Sequence, residues 1–185
     1  MRQVCEVREY PMDSIAPIGI RKGVFAPKQY WRVGLAGVLS GVVFFALSFL
    51  TFFGLGVLPG ILFNPATQSA KVIAVVQTLE PLPLMQRAPY VVFIGWTILL
   101  VGYAYLFSHI RMLWPRTYWG CFWRLALMIW FFSLLFFQFQ GPLNLLGEPL
   151  PLFGLELAFW AICTLGASAV IVAMIGHNSS QGSTV

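Results

Sequence analysis

Charge is what this sequence has least of. Only 11 of its 185 residues are Lys or Arg and only 6 are Asp or Glu, 9% in all. A soluble domain carries roughly 25%, so a water-facing globule is excluded as the main architecture. Cysteine is scarce as well. Cys5, Cys121 and Cys163 are far apart and odd in number. They form no CxxC pair and no zinc spacing, which excludes a disulfide framework and a structural zinc site. Each reads as a free thiol packed like a small hydrophobe. The sequence also lacks a P-loop, a dinucleotide glycine fingerprint, and any Ser/His/Asp, Cys/His or paired-carboxylate arrangement. We therefore expect no enzyme and no metal centre. The net charge of +5 does not imply nucleic acid, because the basic residues fall at the ends of apolar segments and not on one soluble face.

Long apolar runs are what the chain does have. Tyr118–Phe137 reads YWGCFWRLALMIWFFSLLFF, with Arg124 as its one charge. As a helix this run covers about 30 Å, the thickness of a bilayer hydrocarbon core. It is apolar on every side, unlike a surface helix of a soluble domain. Val33–Leu58, Tyr90–Ile110 and Leu155–Ile175 have the same character. The expected fold is an all-α integral membrane protein with four transmembrane helices in an antiparallel bundle. Residues 1–30 form a cytoplasmic arm, 31–177 the membrane domain and 178–185 a cytoplasmic polar tail. The second and third spans are joined by about seven residues, which predicts that they are antiparallel neighbours.

Orientation follows from the cations. Arg2, Arg8, Arg21, Lys22, Lys28, Arg32, Arg111 and Arg116 share one side; only Lys71 and Arg87 lie on the other. Such asymmetry predicts cytoplasmic termini and fits a bacterial inner membrane. The outer connection after the first span carries Asn64-Pro65, an N-cap followed by proline at the first helical position. Val72, Val75, Val76 and Leu79 then recur at helical spacing. They predict a short amphipathic helix on the outer interface.

Within the spans, Gly37 and Gly41 form a GxxxG, and Ala169 and Ala173 a small-xxx-small ridge. Both allow close helix contact. Arg124 and Glu156 are the intramembrane charges, Arg124 near the inner face and Glu156 at the outer start of the fourth span. A carboxylate there is favoured by the helix macrodipole. His109 and His177 end their spans at one membrane depth and are candidates to ligate a haem, a chlorophyll-type pigment or a metal. No other cofactor is implied. The connection Gly141–Gly154 is unusually apolar. Leu143, Leu145, Leu146, Leu150 and Leu152 cannot all hide in one short loop, and Pro142, Pro149 and Pro151 oppose a regular helix. These leucines are candidate docking residues.

Three functional expectations result. The leading one is a non-catalytic accessory or structural subunit of a larger membrane complex, with the bilayer and other membrane subunits as partners. The second is a small transporter or channel using Arg124 and the glycine-rich face of the first span. The third is a haem- or pigment-binding electron-transfer or light-harvesting-associated subunit.

Overall fold

The computed structural model describes residues 27–56, 58–115 and 117–176. Among the described residues it is 85% helical and has no strand. Helix α1 is Pro27–Phe49, continued by a wider π-helical turn, Leu50–Gly54. The connection to the next long helix holds a π-helical turn, Leu58–Leu62, and two short α-helices: α2, Ala70–Ile73 with a π-helical extension Ala74–Thr78, and α3, Leu84–Arg87. Helix α4 is Pro89–Ile110, α5 starts at Tyr118 and winds on to Leu145, and α6 is Leu150–Gly176. Tyr30–Gly54, Pro89–Leu113, Tyr118–Leu145 and Leu150–Gly176 are each long and apolar enough to cross a membrane.

Local chemistry sets the ends. Pro89 opens α4 at the position where a missing N–H costs nothing. Thr117 caps α5 by accepting from the Gly120 amide at 3.3 Å. The α5–α6 turn is made by Gly147, whose φ of 65° favours a residue without Cβ. Behind it the Pro149 carbonyl accepts from the Leu152 and Phe153 amides, both at 3.0 Å.

Two expectations are corrected here. Gly141–Gly154 is not one long irregular loop. Helix α5 runs through Pro142, because i→i+5 geometry gives the ring room and the chain around it stays bonded: Leu146 N–H to Gly141 at 3.1 Å and Glu148 N–H to Pro142 at 2.9 Å. The outer amphipathic helix is capped by Ser69, whose hydroxyl accepts from the Val72 amide at 3.2 Å. Asn64 instead closes a turn onto the Ala66 amide at 3.0 Å.

Helix α1 is central. It packs against α4 on one side and α6 on the other, while α5 packs chiefly on α6. The expectation that the second and third spans are close neighbours is therefore revised. A hydrogen bond between Tyr103 Oη and Ser133 Oγ, at 2.7 Å, links α4 to α5. Glycine explains the arrangement. A Cβ on Gly37 would strike the backbone of Val101, and one on Gly41 would lie 2.7 Å from Thr97 Oγ1. A Cβ on Gly166 would strike Leu47. So α1 meets α4 and α6 through glycines, and close backbone approach is what drives association where lipid is as apolar as the side chains.

The core is aromatic. Phe44 stacks on Trp96 at 5.0 Å and on Trp160 at 5.7 Å. Phe52 reaches Trp160 at 4.9 Å and Phe159 at 5.5 Å.

Candidate functional site

One end of the bundle brings together four polar side chains from four separate segments, three of them buried and Glu156 half-buried. Gln68 belongs to the α1–α2 connection, Gln138 to α5, Glu148 to the α5–α6 turn and Glu156 to α6. Gln68 donates from Nε2 to Glu148 Oε1 at 2.9 Å, and its own Oε1 accepts from the Ser69 amide at 2.8 Å. Ser69 Oγ donates to the Leu146 carbonyl at 2.8 Å, so the outer connection is stitched onto the α5–α6 turn. Gln138 donates to Glu156 Oε2. Glu148 is 4% exposed, and its Oε2 is buried without a hydrogen-bond partner. Burial pushes the Glu148 carboxyl above its ordinary range, and the Gln68 hydrogen bond only partly offsets this.

Residues of α1, α4, α5 and α6 also enclose a half-open chamber of about 750 Å³, which none of these four polar side chains lines. Phe44, Phe45, Phe49 and Phe53 of α1, Trp96 and Leu99 of α4, Phe137 of α5 and Trp160 of α6 line it, with Ser48 as a polar exception. Its origin is geometric. The close α1–α4 contact ends at Gly41 and Thr97. Beyond it Phe44 meets Trp96, and Phe45 meets Phe93 edge-on at 5.1 Å, so ring-sized spacers replace glycine.

The residues singled out by sequence fare unequally. Gly37 and Gly41 sit at the α1–α4 contact. Ala169 is half-buried, its carbonyl 3.5 Å from Tyr118 Oη, but Ala173 is exposed; the tight contact of α6 is at Gly166. Glu156 is not at a helix start, because α6 begins six residues earlier at Leu150. An amide donor, not the first-turn dipole, stands beside it. Arg124 is exposed on α5, and among the described residues it makes no hydrogen bond or ion pair. The glycine face of α1 is filled by Val101 and Thr97, so it and Arg124 do not share a path. His109 is exposed at the C-terminal end of α4, its Nδ1 2.8 Å from the Tyr105 carbonyl one turn earlier; His177 lies outside the described residues. Of the five leucines, Leu145 and Leu150 are exposed and Leu143 and Leu146 half-buried. Leu152 is buried against Phe52 and Leu62, and so is core and no docking residue. Cys121 and Cys163 are buried free thiols.

Sequence reasoning missed Gln68 and Gln138 as members of a site. The one available signal was an amide at the edge of an apolar run, which reads equally well as a span end.

Four helices of this length and composition point to a multi-pass membrane protein. Comparison of the chain with protein-family models, curated proteins and solved structures gives no match.

Proposed function

We propose that this chain is a non-catalytic accessory subunit of a larger membrane complex, inserted as four antiparallel spans with both ends in the cytoplasm of a bacterial cell. Eight basic residues on one side against two on the other support the orientation. Cysteine placed at residue 70 is expected to react with an impermeant maleimide added outside intact cells, and cysteine at residue 113 only after permeabilisation. The reverse labelling would defeat this topology.

The observation that carries the subunit reading is the outward face of α5. Trp119, Trp123, Leu127, Phe131, Phe132 and Phe136 are 52–66% exposed and run the length of the helix. Arg124 lies among them, about 9 Å into the span. A guanidinium at that depth must snorkel or pair. A neighbouring helix with a carboxylate at the same depth neutralises it, and large flat rings supply the packing contact. Arg124→Glu is then expected to weaken the partner's retention in mild detergent by over a hundredfold, about 3 kcal/mol, as for one member of a desolvated ion pair. Changing the partner's carboxylate to arginine should restore it. Undiminished retention of the Arg124→Glu chain would refute docking through this face.

A further inference from the structure

We propose that the outer half of the bundle is a binding site for a bulky lipophilic cation, whose apolar body sits in the aromatic chamber and whose charge faces the Glu156 and Glu148 carboxylates. Two independent features converge on this ligand class, and neither depends on the docking face of α5.

The first is the chamber. Its volume of about 750 Å³ falls in the range of roughly 300–1,000 Å³ typical of small-molecule sites. Its walls are rings. Phe44, Trp96 and Trp160 are held in mutual contact, Trp96 and Trp160 at 5.9 Å, so the recess is preformed. Indole faces attract a cation within about 6 Å of the ring. Walls of this kind would not hold a hydrated metal ion, which needs oxygen ligands.

The second is the acid pair. Glu156 precedes Trp160 by four residues, which places it on the same face of α6 one turn, about 5.4 Å, further out. Its donor is Gln138 of α5. Glu148 sits in the turn that leads into α6, eight residues before Glu156. Among the described residues neither carboxylate has a cationic partner, and Glu148 Oε2, fully buried, has no partner of any kind. The amides of Gln68 and Gln138 donate hydrogen bonds but neutralise no charge. A buried carboxylate is stable only when paired or protonated, and a cation delivered through the apolar chamber pairs it.

The test uses the full chain purified in detergent, with tetraphenylphosphonium as the probe and equilibrium dialysis plus tryptophan quenching as readouts. We expect saturable binding. Uncharged triphenylphosphine oxide should bind at least tenfold more weakly. Glu156→Gln and Glu148→Gln keep size and hydrogen bonding and should each lower the probe's affinity at least tenfold. Gly95→Phe fills the chamber from a wall position where a new Cβ meets nothing within 4 Å. It should abolish quenching while leaving the melting midpoint unchanged. Equal affinity for the neutral probe would overturn the proposal, as would unchanged binding in the double glutamine variant. Full binding by the Gly95→Phe chain would also overturn it, because the cation would then sit elsewhere. Should one glutamine variant fail to fold, the neutral probe and Gly95→Phe still decide the outcome.

Discussion

Gly37→Leu is expected to cost this protein at least about 3 kcal/mol of stability, and Gly41→Leu slightly less. Inserting methylenes into a well-packed contact typically costs about 1–3 kcal/mol, through side chains forced off-rotamer and backbone shifts. Gly37 exceeds the usual case because its obstacle is backbone. A Cβ there would overlap Val101 Cα and lie 2.8 Å from Val101 Cγ2, and only movement of the whole of α4 relieves that. At Gly41 the nearest atom is Thr97 Oγ1 at 2.7 Å, with Thr97 Cα at 3.2 Å. That hydroxyl is held to the Phe93 carbonyl at 2.8 Å, so it yields only by giving up a bond inside an apolar medium. Gly102→Ala is the control: it shares α4 with the contacted residues, yet a Cβ on it meets nothing within 4 Å. Unfolding in graded denaturing detergent should rank Gly37→Leu below Gly41→Leu, and both well below Gly102→Ala. Equal midpoints for all three would mean that α1 and α4 are not in glycine-mediated contact.

Phe44→Ala is expected to rank next, at about 2 kcal/mol. Phe→Ala in cores costs about 3–5 kcal/mol, part of it transfer from water and part the cavity left behind. Between membrane helices the transfer part shrinks, because lipid is itself apolar, but the lost dispersion contacts remain. Phe44 is 1% exposed and stacks on both Trp96 and Trp160. Its loss therefore removes the spacer of the central cluster, and tryptophan emission should change together with stability. Phe132→Ala, at a position 66% exposed on α5, should leave the midpoint nearly unmoved in detergent. A Phe44→Ala chain as stable as Phe132→Ala would mean that the cluster is not the core.

The helices themselves were legible. Apolar length and the scarcity of charge are local properties, so the runs around residues 33–58, 90–110, 118–137 and 155–175 all appear as helices. Gly37 and Gly41 were legible for a related reason: a GxxxG places both glycines on one face, whatever the partner turns out to be. Boundaries were less so. Pro142 opposes a regular helix, yet a widened turn carries α5 past it. Asn64-Pro65 has the pattern of a helix cap, yet the Asn64 side chain closes a tight turn.

Neighbour relations were not legible at all. Connection length argued for contact between the second and third spans, but α1 takes the middle because Gly37, Gly41 and Gly166 let two helices approach it. The polar cap joins Gln68 to Glu148 across 80 residues, with no local pattern to announce it. Leu150 and Leu152 are chemically identical in sequence; one is 69% exposed and the other 7%.

By itself, then, the sequence determined that this chain makes four long apolar helices and where one glycine face lies. Only the tertiary structure decided which helices touch, which leucines are core, and that two glutamates and two glutamines share one end of the bundle. The physical reason is the solvent. In water, polarity marks the outside of a helix and the inward face can be read from its period. Where the surroundings are as apolar as the interior, that mark is gone, and packing shape and hydrogen-bond satisfaction choose the inside instead.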